Sequence, residues 1–348
     1  MTKKLLVDLS ILRHPYCGLG QIALNYANWY GIHARELKMF DITLLVPKHL
    51  MGAFGNDVKY LPALDTYRIF PSLMPCYDIW HSIHQLSPFR PTGNHTQRVL
   101  TIHDLNFLHE KTPTKQKRYL NRLQKECDHA TDICFISYFA QNEALANLKL
   151  EGKSTKVIYN GVENLTQGRL KKPSGIDEGQ RFLLNIGVIK AKKNQHTLLE
   201  TMRLLPELTL VIAGNDSDPY AQQLRSQLPP NIKMLGIVSD EERRWLYAHC
   251  QGLVFPSTCE GFGLPAIEAM QWGKPVFLST LTSLPEIGGS HAFYFPDFEA
   301  QHMADVITSG LSKFNAKDAE EEQAYASAFN YSRHMEQYIE LFQEMAKR

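Results

Sequence analysis

The sequence has no apolar run of the roughly 18 to 20 residues that a membrane-spanning helix needs. Its start, Met1-Thr-Lys-Lys-Leu-Leu-Val-Asp8, meets an acid too early for a signal-peptide core. These absences predict a cytoplasmic chain. Cysteine is scarce and forms no Cys-x-x-Cys pair. Cys17, Cys76, Cys127, Cys134, Cys250 and Cys259 sit mostly inside apolar stretches, which suits reduced, buried thiols better than a disulfide or zinc framework. Three N-x-S/T matches, at Asn94, Asn164 and Asn330, are accordingly read as chance. Net charge is nearly absent, +1 over 348 residues. With no groove-reading motif and no interleaving of basic and aromatic residues, a nucleic-acid partner is excluded. What remains is 44% hydrophobic and 21% charged, enough apolar material for two domains with their own cores.

The balanced charge hides an asymmetry. Residues 1–170 carry 20 Lys+Arg against 14 Asp+Glu, and the remainder carries 17 against 22. Residues 111–125 concentrate the excess in Lys111, Lys115, Lys117, Arg118, Arg122 and Lys125. That cluster fits peripheral contact with the inner face of a membrane or with an anionic carrier, against the commoner role of such a charge run as a solvated helix face.

Short β-rich apolar runs alternate with helix-length amphipathic stretches, the pattern of parallel sheets covered on both faces by helices. Strands are expected at 4–9, 42–46, 79–82, 98–103, 133–137 and 157–159, with helices near 21–38, 114–128 and 139–148. Residues 163–180, rich in Gly, Pro, Lys and polar side chains, read as a linker. The pattern restarts with strands at 182–186, 208–213, 232–235, 253–255, 276–278 and 293–295. Ser239-Asp-Glu-Glu242 is a capping box, and Pro265 suits a first helical turn. A last helical stretch, 320–347, has no strand after it and is expected to pack back on the first domain.

The strongest chemical signal is Phe255-Pro-Ser-Thr-Cys-Glu260-Gly-Phe-Gly-Leu-Pro-Ala-Ile-Glu268-Ala-Met, which follows a buried strand and enters a helix. Gly261 and Gly263 allow close approach of a ligand, and amides at the helix start point at an anion such as phosphate. An ionised glutamate accepts two hydrogen bonds from a vicinal diol, so Glu260 and Glu268 suit the hydroxyls of a transferred sugar and of a ribose. Gly18-Leu-Gly20-Gln-Ile-Ala23 fits a dinucleotide-binding turn, which raises an NAD-dependent enzyme as a rival. Against that reading, eight residues separate the strand from Gly18, and no acid ends the next strand. Asp216-Ser-Asp218 resembles a metal-binding D-x-D, but Asn215-Asp-Ser-Asp-Pro219 reads as a turn that starts a helix. No metal is expected.

The block P-S-x-x-E-G-F-G-L-P-x-x-E-A-M, with its E-x7-E spacing, resembles the retaining GT-B glycosyltransferases of family 4, which use nucleotide-sugar donors. Thr101-Ile-His-Asp-Leu105 resembles the family's H-D-L segment, Ile158-Tyr-Asn-Gly-Val-Glu163 its N-G-V, and Leu184-Asn-Ile-Gly187 with Lys192-Lys-Asn194 its G-x5-K-N loop. Leu210-Val-Ile-Ala-Gly214 agrees as well. The resemblance implies an α/β fold of GT-B type: two Rossmann-like doubly wound domains facing a cleft, with a C-terminal helix crossing back to the first. Its domains would be an acceptor domain at 1–165, a linker at 166–180, a nucleotide-sugar domain at 181–320 and the returning helix at 321–348.

It further implies catalytic roles for His103 and Glu260. Donor binding would fall to Gly18, Gly20, Gly187, Lys192, Lys193, Gly214, Gly261, the amides of Phe262, Gly263 and Leu264, and Glu268. Val188 stands where many members have an arginine, a place that Lys192 or Arg13 would have to fill. The implied reaction is retaining, metal-independent transfer of a hexose, with mannose favoured, from a GDP- or UDP-sugar to a glycan or lipid-linked acceptor in cell-surface polysaccharide or lipopolysaccharide synthesis. No cofactor is expected, since the nucleotide-sugar is a substrate. A catalytically idle sugar-nucleotide-binding protein is the third reading.

Overall fold

The computed structural model describes residues 2–15, 18–93 and 95–348, so Asn94 and Cys17 of the sequence reading lie outside the described residues. The chain forms two compact units, one of residues up to Tyr159 together with Met335–Arg348, the other Asn160–His334.

The first unit holds β1 (Lys3–Asp8), β2 (Phe40–Val46), β3 (Lys59–Pro62), β4 (Ile79–Ser82), β5 (Gln97–Ile102), β6 (Asp132–Phe135) and β7 (Ser154–Val157). They form one sheet in the order β3-β2-β1-β4-β5-β6-β7, with every pair parallel. The second unit holds β8 (Phe182–Ile186), β9 (Thr209–Ala213), β10 (Ile232–Gly236), β11 (Gly252–Phe255), β12 (Val276–Ser279) and β13 (Phe293–Phe295). Their order is β10-β9-β8-β11-β12-β13. Helices on both faces bury these strands, which is why they read as continuous apolar runs: all of β8, β11 and β12 is buried. In each sheet the order reverses once, at β1/β4 and at β8/β11, and the crevice outside the strand ends at such a reversal is where α/β folds take ligands.

Three expectations need correction. β3 was not foreseen: it is a four-residue edge strand containing Lys59 and Pro62, and lacks the long buried pattern of its neighbours. Residues 166–180 are no free tether but a strap on the second unit. Leu165 N donates to Gln271 Oε1 (3.0 Å), Lys171 N to Glu241 O (3.1 Å), and Asp177 pairs with Lys233 (2.8 Å).

The C-terminal stretch is two helices. Ala316–Ser327 stays in the second unit, where Gly273 has no room for a Cβ against Ala319 (2.9 Å). The chain then breaks, and Asn330 caps Tyr331–Lys347 by accepting Arg333 N (2.8 Å). From Met335 on, the second of these helices belongs to the first unit. Met335, Tyr338, Phe342 and Met345 are buried at helical spacing, Tyr338 Oη meets Thr101 Oγ1 (2.8 Å), and Arg348 pairs with Asp132 (3.0 Å).

Candidate active site

The reversal in the second sheet positions the main constellation. After β8 the chain turns at Gly187 (φ 136°) and after β9 at Gly214 (φ 139°). A Cβ on Gly214 would lie 1.9 Å from the Gly187 carbonyl oxygen, so only glycine lets these two strand ends meet. The β8 loop continues through a 3-10 turn, Ala191–Lys193, to Asn194 in the left-handed region (φ 57°). The loop after β11 is tied to it: the Lys192 carbonyl accepts from Thr258 N (2.8 Å), Thr258 Oγ1 and Ser257 Oγ (both 3.1 Å). The Lys192 side chain is half-buried.

Across this joint Lys193 Nζ donates to Glu260 Oε1 at 2.5 Å, with both side chains largely buried, and lies 4.9 Å from the Phe255 ring centroid. A desolvated pair of this kind is held by its geometry and by the ring's negative face. Glu260 N donates to Thr282 Oγ1 (3.1 Å), and Ser283 Oγ donates to the carbonyls of Glu260 and Phe262 (3.2 and 2.9 Å). Gly261 and Phe262 are buried. Gly263, in the left-handed region (φ 109°), caps the helix Leu264–Gln271. Pro265 has no N–H and Ala266 N donates to Gly263 O (3.0 Å), which leaves Gly263 and Leu264 to present amides at this end.

Glu268, inside that helix, has its own partners: Arg243 Nη1 at 3.3 Å from Oε1 and Tyr247 Oη at 2.6 Å from Oε2. Both come from the helix Asp240–His249, which the predicted capping box of Ser239 and Glu242 opens. Arg243 also reaches Glu163 (3.0 Å), as does Arg244 (2.7 Å). Burial and the Glu268 carboxylate hold the Tyr247 phenol protonated, well above its ordinary value. Burial works against the Arg243 charge, but Glu268 and its other neighbours outweigh it and raise the guanidinium pKa. Sequence reasoning missed Arg243 and Tyr247. Their only signal was i, i+4 spacing on one helix face.

The predicted residues His103, Gly18 and Gly20 belong to the first unit. His103, just past β5, is buried, and its Nε2 donates to Ile83 O (2.7 Å) while its backbone N–H reaches Gln85 Oε1 (3.2 Å). Burial depresses its pKa to about 4, against the smaller effect of the Ile83 bond, so the ring is neutral and its proton sits on Nε2. His84 is likewise held at about 4, by burial and by His103 and Arg122. Gly18 and Gly20 fall inside the first turn of the helix Gly18–His33, not in a loop before it. A Cβ on Gly20 would lie 2.3 Å from His14 O. Arg13 is engaged, with Nη2 on Ala63 O and Nη1 3.4 Å from Asp65. Asp216 pairs with Arg225 (2.7 Å) and Asp218 caps the helix Pro219–Arg225, the turn role expected of them.

The family described as "Glycosyl transferases group 1" matches residues 166–327, which contain Lys193, Arg243, Tyr247, Glu260 and Glu268. The chain is 30% identical over 282 residues to D-rhamnosyltransferase WbpZ of Pseudomonas aeruginosa, covering 77% of this chain and 69% of that one. It belongs to the group 1 glycosyl transferases. The transferase is also similar to O-antigen chain mannosyltransferase B of Escherichia coli, 28% identical over 326 residues, with 82% and 84% of the two chains covered. Sucrose-phosphate synthase from Thermosynechococcus elongatus superposes with a TM-score of 0.75 at 17% identity over 100% of both chains, which fixes the fold as GT-B. Family membership removes the NAD-dependent reading of the turn at Gly18 and Gly20. No described helix of the transferase is long and apolar enough to cross a membrane.

Proposed function

We propose that the transferase moves mannose, with retention and without a metal ion, from a nucleotide diphosphate sugar to a glycan or lipid-linked acceptor of a cell-surface polysaccharide. The observation that carries this reading is the Lys193–Glu260 pair at the β8/β11 reversal, 2.5 Å long and set at the mouth of a helix. Similarity to an O-antigen mannosyltransferase over most of both chains supports the sugar and the pathway class.

As the glycosidic bond breaks, negative charge gathers on the departing diphosphate. Lys193 and the amides of Gly263 and Leu264 meet it, work that grows toward the transition state. These groups supply the charge that a metal provides elsewhere. Glu260 accepts hydroxyls of the sugar and Glu268 those of the ribose, while Phe262, Gly261, Gly187, Gly214 and Lys192 shape the donor's bed. The acceptor is assigned to the first unit, where Gly18 and Gly20 open the first helix and neutral His103 serves a sugar hydroxyl. The acceptor oxygen bonds to the anomeric carbon, and its proton passes to an oxygen of the leaving phosphate.

The basic helix Pro113–Asp128 exposes Lys115, Lys117, Arg118, Arg122 and Lys125, which suits peripheral attachment at the cytoplasmic face of a membrane. The test is transfer from GDP-mannose, UDP-glucose and UDP-galactose in the presence of EDTA, with the product anomer assigned by NMR. GDP-mannose turnover with a retained α-anomer is expected. Exclusive use of a UDP-sugar, an inverted product, or loss of activity on chelation removes the corresponding part of the reading.

A further inference from the structure

A cavity of about 390 Å3 opens in the second unit, bounded by β13, the turn Gly289–His291 and the helices Ala300–Lys313 and Ala316–Ser327. None of the residues assigned to the donor lines it. Glu322 does, although its side chain is almost fully buried (2% exposed). Its Oε2 is buried with no hydrogen-bond partner, and no described cation pairs with it. Burial, with the Asp318 charge one turn back on the same helix, pushes its pKa up to about 9, so the carboxyl is a neutral acid at pH 7. A buried polar atom without a partner is costly and uncommon in a folded protein.

The surroundings narrow what would satisfy it. Asp318 is held by Asn315, whose N and Nδ2 donate to it (2.9 and 2.7 Å), and Glu321 pairs with Lys317 at 3.6 Å. Lys313 is exposed and makes no ion pair among the described residues, and the His291 ring lies 4.5 Å from that of Tyr325. Phe293 and Phe314 give the cavity apolar walls. The three acids of that helix that line the cavity, Asp318, Glu321 and Glu322, disfavour an anion. No group of three His, Cys, Asp or Glu among the described residues is placed to hold a metal ion. A neutral hydroxyl could bond to the acid but would leave the field of Asp318 unanswered. A primary ammonium brings three donors and a charge, and aromatic walls favour a cation.

We infer that this cavity binds a small molecule carrying a protonated primary amine, seated on the carboxyl of Glu322. On binding, Glu322 loses its proton to solvent while the ligand keeps its own, so a carboxylate–ammonium pair forms and one proton is released.

The test is calorimetry on the full chain at pH 7 and fixed ionic strength, in two buffers of different ionisation enthalpy. The probes are 1,4-diaminobutane and its neutral counterpart 1,4-butanediol. The diamine should bind with release approaching one proton, the diol should not bind, and Glu322→Gln should weaken the diamine at least tenfold. That variant replaces a neutral acid by a neutral amide of the same shape, and proton release by the unaltered protein reads the same claim without it. Several results would each overturn the inference: no diamine binding at 10 mM, equal binding of the diol, undiminished binding to Glu322→Gln, or binding without proton release. The last would mean that Glu322 is already ionised, as it would be if Lys313 swung inward.

Discussion

At the β1/β4 reversal of the first sheet the Asp8 carboxyl is capped by hydrogen bonds and the histidines past β4 and β5 are neutral. Asp8 accepts from Ser10 N (3.0 Å) and from Ser87 Oγ, yet burial raises its pKa, and His103 and His84 are held near 4. At the β8/β11 reversal of the second sheet the groups form ion pairs: Lys193 with Glu260, both largely buried, and Arg243 with Glu268 and with the partly exposed Glu163. The two crests thus differ in what they present, neutral imidazoles in the first and ion pairs in the second, although Arg98, paired with Glu126 (2.8 Å), also donates to Ser82 Oγ (3.1 Å) at the end of β4. A crest that carries charge before ligand arrives suits a dianionic diphosphate, whereas an uncharged one suits hydroxyls, which need donors and acceptors but no counter-ion.

The largest way to break this contrast is Glu260→Gln. Turnover should fall about 100-fold or more, the cost of losing a group that acts at the reacting centre, while affinity for free nucleotide stays within about threefold. Steady-state kinetics beside calorimetry check both, and a fully active variant rejects the role of Glu260. Next in size is Glu268→Gln, expected to weaken free nucleotide about tenfold, as loss of a charged acceptor does; unchanged affinity would remove Glu268 from the ribose. Tyr247→Phe should give a smaller loss in the same direction, because it only loosens the Glu268 carboxylate.

The smallest effect sharpens the neutral side. The His103 pKa falls from 6.5 to about 4 on folding, so the folded state binds fewer protons. The stability this contributes is present above pH 6.5 and is lost as pH falls toward 4. Thermal melts of the protein and of His103→Gln between pH 7 and 4 should therefore differ in slope. The pH profile of kcat should show no histidine limb near 6.5, and such a limb, absent from His103→Gln, would mean that the ring titrates after all.

How much of this could be read from the residues follows from what each feature depends on. Strands buried on both faces announce themselves, so 182–186, 79–82 and 293–295 coincide with β8, β4 and β13. The Gly263–Pro265 helix start and the Ser239 capping box were legible because they are local chemistry. The split at Asn330 was not, because no glycine or proline marks it and the break is made by an asparagine cap. Nor were the partners of Glu268: Arg243 and Tyr247 lie 25 and 21 positions away, and only the packing of two helices brings them to one carboxylate. The same distance effect hid Glu322, whose isolation comes from a cavity between elements.

The proposed seat of the diphosphate is the β8/β11 crest, against Lys193. Calorimetric titration of GDP into the protein and into Lys193→Ala at low salt tests it most directly. Binding at least tenfold weaker is expected in the variant, with a shallower salt dependence because one cation is gone. Equal affinity with an unchanged salt dependence would contradict it.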